Sequence, residues 1–556
     1  MKEFICILSL VLFLITPVPG QNRDVKIATV FHPEIENIGR QDSLRGSITP
    51  ERKWWDLDYY HLQVDVNIRQ KTLKGTNLIQ YRVLNASNRL QIDLQEPMKI
   101  VSIEQAGTPL TYTREGNVYF IELLKEQVPG QLNSILVEYE GKPRQAKRAP
   151  WDGGFSWEKD SNGNPFIATS CQGLGASSWW PCKDHPFDEP DSMDMSFTVP
   201  SDLMAVSNGR LHGSEELKNG KKVWHWKVRN PINHYGVNLN IAKYVQFEEL
   251  YEGEKGPLDC SYYVLKENLE EAKIQFAQVP MMLEAFEYWF GPYPFYEDGF
   301  KLVQVPYLGM EHQSSVTYGN KFKNGYLGRD LSGTGQGLKF DFIIIHESAH
   351  EWFANSITYK DVADMWIHES FGQYAEGLYL EYHFGKEAGY EYLQGLRRNI
   401  RNDIPIIGLY DVNREGSGDM YAKGANMLHM IRQLVDDDER WRSLLRGINN
   451  DYFHSTVSSE QIEGYMIHYT GLDLKAVFDQ YLRTTEIPVF EYTVSKKGLR
   501  YRWNNCIDGF NMPVKIHTLT EEVWLQAKDH WQLIEMSELP DHLEVSPAFY
   551  VQISEL

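Results

Sequence analysis

Apolar and polar residues alternate from Trp54 onward. Tyr60, Leu62, Val64, Val66 and Ile68 fall at every second position, the period of a half-buried strand. Shorter runs of the same kind recur at Leu78-Ile79-Gln80-Tyr81, Leu90-Gln91-Ile92-Asp93-Leu94, Ile135-Leu136-Val137 and Val223-Trp224-His225-Trp226, with turn residues between them. This pattern predicts a large β domain over 51–255. Near Val264 the period lengthens: Leu269, Ala272, Ile274, Phe276, Leu283, Phe286 and Trp289 recur at helical spacing, and Gly291-Pro292 closes the run. Pro280 should kink or split this helix. Helical texture continues to about Tyr481, broken by a strand-like stretch at 302–306, so a mainly helical domain is predicted over 256–488. Alternation returns at Phe490, Tyr492, Val494 and at Leu499, Tyr501, Trp503, which flank Lys496-Lys497-Gly498 as a hairpin and predict a small C-terminal β domain over 489–556. The fold class is multidomain α+β.

The amino-terminal segment has a different character. Lys2 precedes an apolar run over 4–15 broken only by Ser9, and Pro17-Val18-Pro19-Gly20 offers a small-residue cleavage site, so residues 1–20 read as a signal peptide. The run is shorter than the about 20 apolar residues a membrane span needs. An exported protein, periplasmic or secreted, is expected, with no stable membrane insertion after cleavage. Residues 21–50 are polar without clear periodicity and read as a lead-in arm. The 556 residues include 76 acidic and 55 basic ones, a formal net charge of −21 that argues against nucleic acid as a partner. Cys171, Cys182, Cys260 and Cys506 are too few for a disulfide scaffold in so long a chain, and their spacing leaves a Cys171–Cys182 pairing open.

The chemistry concentrates in His346-Glu347-Ser348-Ala349-His350. Two histidines at i and i+4 share one helix face and can reach one metal ion, with Glu347 placed to take a proton from water at that metal. Ile343-Ile344-Ile345 looks strand-like, but a buried helix tolerates such a run and the histidine spacing makes no sense on a strand. Catalytic zinc takes three protein ligands and keeps one position open. Glu369, separated from His350 by eighteen intervening residues and on a segment of helical texture, completes the set, leaving room for a turn between two antiparallel helices. The neighbouring His368 would point about 100° away and reads as a supporting or surface residue. Gly333-Thr334-Gly335-Gln336-Gly337 lacks the lysine of a phosphate loop and reads as a loop before the metal helix.

With these residues in place, the sequence resembles the aminopeptidase N and leukotriene hydrolase family of gluzincin metallopeptidases, peptidase family M1. The likeness runs over nearly the whole chain. Phe290-Gly291-Pro292-Tyr293-Pro294-Phe295 resembles the family's entry into a thermolysin-like catalytic domain, and Leu308-Gly309-Met310-Glu311-His312 stands where the family carries Gly-x-Met-Glu-Asn. The resemblance implies one Zn²⁺ per chain held by His346, His350 and Glu369, with Glu347 as general base. It further implies that Glu311 binds the free α-ammonium of a peptide, that Gly309 lies along its backbone, and that Gln172 assists. Tyr421, in Met420-Tyr421-Ala422-Lys423-Gly424, resembles the family's catalytic tyrosine. Three positions depart from the family: Leu308, His312 in place of Asn, and Ser370 in place of the Gly after the third ligand. The residues after Pro488 have β texture, where many members carry a long helical domain. The reading is an aminopeptidase acting on peptides with free N-termini. A zinc endopeptidase, or a retired peptide-binding protein on the same scaffold, are the alternatives.

Overall fold

The first alternating run forms the long strand Trp55–Asn67, whose Leu57, Tyr60, Leu62, Val64 and Val66 are buried. This strand lies inside an eight-stranded sheet, antiparallel to Thr72–Val83 on one side and parallel to Ser192–Pro200 on the other. A four-stranded sheet and a three-stranded sheet complete the amino-terminal β layers. The computed structural model describes residues 38–495, 497–519, 521–535 and 542–556; the segment read as a signal peptide and residues 21–37 of the arm lie outside them. The last part of that arm is not featureless. Arg40–Gly46 is a helix, and Arg45 reaches across to the backbone carbonyl of Asp184 at 2.6 Å. At seven residues this helix is about two turns long, too brief for a periodicity reading to detect.

The catalytic half is built around a second, five-stranded sheet ordered Tyr244–Gly253, Gly256–Leu265, Phe300–Gln304, Val316–Tyr318, Gly309–Met310. The boundary expected after 255 therefore falls in the turn of one hairpin, paired in register from Tyr244↔Leu265 to Gly253↔Gly256. Alternation along Tyr244–Gly253 looks like a continuation of the first domain, yet its partner strands belong to the second. The segment 268–290 splits into the helices Leu269–Gln275 and Gln278–Phe290, with Pro280 in the first turn of the second, where its missing N–H costs nothing.

The carboxy-terminal hairpin pairs Phe490↔Trp503, Tyr492↔Tyr501 and Val494↔Leu499, as the alternation predicts. It does not enclose a core of its own. Phe490, Tyr501 and Trp503 join one continuous buried cluster with Tyr481, Phe478 and the residues around the histidine helix. Residues Gly39–Leu556 form one compact unit, and among the described residues no helix is long and apolar enough to cross a membrane.

The helix Phe342–Ala349 starts where Asp341 caps it. Asp341 Oδ1 accepts from the backbone N–H of Ile343 at 3.0 Å and of Ile344 at 3.4 Å, overruling the strand propensity of the isoleucines that follow. Those isoleucines are fully buried, so tertiary packing supplies what local preference does not. Asp341 also accepts from Asn320 Nδ2, Tyr318 Oη and Gln275 Nε2, each at 2.7 Å, which pins the helix to the sheet and to the preceding loop. Asp341→Ala should lower stability by roughly 2–4 kcal/mol. The loss should appear as a lower denaturant midpoint, with Asp341→Asn falling between it and the parent.

Candidate active site

His346 lies in the last turn of its helix and His350 one residue past the end, still in right-handed helical conformation, so both rings leave the same face. The facing helix, Trp366–Phe384, carries Glu369 in its first turn. The three side chains converge: His346 Nε2 and His350 Nε2 are 3.3 Å apart, and Glu369 Oε2 is 3.6 Å from the first and 3.4 Å from the second. The outer ring nitrogens are engaged elsewhere, His346 Nδ1 with Glu376 Oε1 at 2.7 Å and His350 Nδ1 with the carbonyl of Phe353 at 3.0 Å. Those acceptors hold a proton on each Nδ1, so both Nε2 atoms present lone pairs to each other and to the carboxylate. Glu369 Oε2 is buried without a hydrogen-bond partner. Donors about 2.0–2.1 Å from a tetrahedral zinc stand roughly 3.3 Å from one another, the spacing observed here. The residues fit one zinc ion.

These groups open onto a cavity of about 750 Å³ that also admits Glu347, Glu311, Gln172, Gly309 and Tyr421 to its wall. Every site residue singled out in the sequence is thus brought to one place. Burial pushes the Glu347 carboxyl up to about 7, opposed by His346 and His350 and reinforced by Glu311 and Glu369. Burial also raises Glu311, whose Oε1 accepts from Gln172 Nε2 at 2.7 Å. The same Gln172 nitrogen donates to Glu369 Oε1 at 3.2 Å, so one amide from the amino-terminal half touches both the free carboxylate and the third metal ligand. Gly309 sits on the edge strand with Met310 and packs against Ile343 of the histidine helix. Tyr421 lies nearly parallel to His346, ring centres 5.9 Å apart; burial first, then the fields of Glu369, Glu311 and Glu347, push its pKa well up, so it keeps its proton.

Two histidines beside the site lie off the cavity wall. His368 is fully buried and structural: its Nε2 accepts the backbone N–H of Tyr359 at 3.0 Å, and its ring stacks on that tyrosine. His312, the departure from the family's Asn, is absent from the cavity wall and sets its Nδ1 against Thr317 Oγ1 at 3.2 Å. Cys171 and Cys182 are both buried as free thiols. Sequence reasoning missed Glu376, which is seven residues past Glu369 and therefore on the same helix face, and Asn355, whose Nδ2 donates to the carbonyl of Glu311 at 2.8 Å. The periodicity signal for Glu376 was present. For Asn355 there was none, because the chain around it is irregular.

A buried His-His-Glu triad on two packed helices, beside a mixed sheet and an open cavity, is the arrangement of a zinc metallopeptidase. The profile described as the peptidase M1 N-terminal domain matches residues 57–235, and that of the peptidase family M1 domain matches 275–481. The chain belongs to peptidase family M1. It is 22% identical over 460 residues to probable aminopeptidase 2 of Sulfurisphaera tokodaii, covering 79% of this chain and 55% of that one. It is 22% identical over 452 residues to leukotriene A-4 hydrolase of Xenopus laevis, covering 76% and 69%. Against the first of these the chain spans little more than half the relative's length. The crystal structure of an M1 zinc metallopeptidase from Deinococcus radiodurans superposes with a TM-score of 0.66 at 19% identity, over 80% of this chain and 96% of that one, which shows a shared fold.

Glu376 takes the proton-bearing side of His346 and also accepts from Gln373 and from the Tyr392 hydroxyl. Carboxylates in this position orient a ligand histidine and raise its basicity. Glu376→Ala should weaken zinc binding by about 10–100-fold, measured by competition with a chromogenic chelator, without unfolding the protein.

Proposed function

We propose that the protein is an exported zinc aminopeptidase that removes N-terminal residues from peptides. The carrying observation is the buried Glu311 carboxylate, tied through Gln172 to the metal ligand Glu369 over bonds of 2.7 and 3.2 Å. Besides burial, which raises its pKa, the charged groups felt by the Glu311 carboxylate are His350, which lowers that pKa, and Glu369, which raises it. An α-ammonium placed there satisfies it, and an acylated N-terminus leaves it buried and unpaired, which disfavours blocked peptides. Because Gln172 bonds to both Glu311 and Glu369, an ammonium anchored at Glu311 lies beside the metal ligands, which favours cleavage of the first peptide bond.

The surrounding residues supply the remaining steps, on a catalytic half of thermolysin-like type. Zinc, when bound, supplies Lewis acidity that polarises a carbonyl and lowers the pKa of water to about 7. Glu347 accepts a proton from the attacking water and delivers it to the departing nitrogen. Tyr421, kept protonated by its surroundings, donates its hydroxyl hydrogen to the oxyanion as charge develops. Glu311 and Gln172 hold the substrate in exopeptidase register. Names of relatives agree with this reading: a probable aminopeptidase of S. tokodaii, a leucyl aminopeptidase of Saccharolobus solfataricus, and a D. radiodurans M1 zinc metallopeptidase solved with a Tyr-Ser-Ala substrate, TM-score 0.65.

The test is one peptide with a free N-terminus and its N-acetylated twin, each with and without a zinc chelator, followed by mass spectrometry. Stepwise shortening of the free peptide alone, abolished by chelator, is expected; equal internal cutting of both would replace this reading with an endopeptidase. Glu347→Gln should retain zinc and lose turnover by about 10²–10⁴-fold. Glu311→Ala should lower kcat/KM for free-amine peptides by at least about tenfold, the discrimination expected when a buried charged partner is removed.

A further inference from the structure

Ser370 follows the metal ligand Glu369 and is wholly buried. Its hydroxyl does not turn back onto its own helix. It donates to the backbone carbonyl of Met420 at 2.7 Å, on the segment that carries Tyr421. The Met420 oxygen and the Tyr421 nitrogen belong to one rigid peptide plane, so fixing that oxygen fixes the plane's rotation next to the Tyr421 α-carbon. The segment needs such a fixed point. Tyr421 is the joint between the short turn Gly418–Met420 and the helix Ala422–Val435, with φ −71° and ψ −84°, outside the regular helical region. Its own N–H reaches the Gly418 carbonyl only at 3.4 Å. The turn is also held by Asp419, which accepts the backbone N–H of Arg401 at 2.9 Å.

The helix bearing Tyr421 is shaped to admit this hydroxyl. A β-carbon on Gly424 would stand 1.9 Å from Ser370 Oγ and 2.7 Å from its Cβ. The space for the serine exists because residue 424 has no side chain. Ser370 and Gly424 thus form a matched pair, one filling the room the other leaves.

Resting on the reading of Tyr421 as the oxyanion donor, we infer that Ser370 is a positioning residue. It clasps the Met420–Tyr421 peptide to the helix of the third metal ligand and so sets the tyrosine hydroxyl at its working distance from the metal. It touches neither substrate nor metal and acts only through Tyr421.

The test is a cycle of variants of the zinc-loaded full chain, with kcat, KM and zinc content measured on a free-amine peptide. Tyr421→Phe should lower kcat by about 10²–10³-fold, the usual loss for one oxyanion donor. Ser370→Ala should lower kcat by about tenfold, with KM within about twofold and zinc at one per chain, a partial loss of the same donor. In the Tyr421→Phe background Ser370→Ala should have no further effect. Gly424→Ala should reproduce the Ser370→Ala loss and add nothing to Ser370→Gly, a comparison that stands if either single variant folds poorly. Full kcat in Ser370→Ala, or an equal slowing with and without the tyrosine hydroxyl, would overturn the inference while leaving the aminopeptidase reading intact. Full activity in Tyr421→Phe would remove the tyrosine's role and the inference together. Loss of zinc from Ser370→Ala would assign the residue to the metal helix instead.

Discussion

Three lone-pair-bearing atoms, two imidazole nitrogens and a carboxylate oxygen, are held 3.3 to 3.6 Å apart in a dry interior. Without a metal these atoms share protons: against the opposing effect of burial, Glu369 and Glu376 push His346 well up and Glu369 lifts His350 to about 9, so a metal ion entering the site displaces protons. Much of the catalytic half serves to hold these atoms in place. Asp341 starts the histidine helix at a fixed point on the sheet, Glu376 and the Phe353 carbonyl set the imidazole tautomers, and the helix Trp366–Phe384 carries the third donor across. The buried cluster behind these helices is continuous from Leu258 to Phe549, so the carboxy-terminal strands share the same packed interior. Rigidity here replaces the adjustment that a metal would otherwise impose on a loose site.

The cavity wall is predominantly acidic, with Asp152 and Glu415 beside the site glutamates and Arg414 among them. Glu311, Glu347 and Glu369 line it, and burial lifts the first two above their ordinary range. On the proposed reading, zinc brings positive charge to Glu369 and a substrate ammonium brings it to Glu311. Their sites adjoin, because Gln172 bonds to the carboxylate assigned to each. Binding register and metal chemistry therefore have one geometry rather than two, and the same amide enforces it.

Much of this was legible in the chain, for identifiable reasons. Strict alternation at Tyr60, Leu62, Val64 and Val66, and the paired alternation around Gly498, survive because one face of each strand is buried and the register admits no slip. The two histidine ligands were readable because a helix face fixes i and i+4, whereas Glu376, seven residues past Glu369 on the same face, was missed although the same periodicity pointed to it. What escaped was non-local. The strand Tyr244–Gly253 alternates like its predecessors and changes sheets, which no local period reports. His368 sits beside a ligand and is buried against Tyr359, a fate set by packing. Ser370 was visible as a departure from the family's pattern, but its partner is a carbonyl fifty residues on and the space for it is an absent methyl group at Gly424.

The bridge made by Gln172 has a consequence for motion. Its nitrogen spans two carboxylates of the catalytic half while its backbone belongs to the amino-terminal half. Any opening of the cleft between these halves must pull on both bonds at once. On the proposed reading, the grip on a peptide's leading end and the alignment of the third metal donor would relax in the same movement, tying loosening of the product to slackening of the metal shell in a single event with one clock.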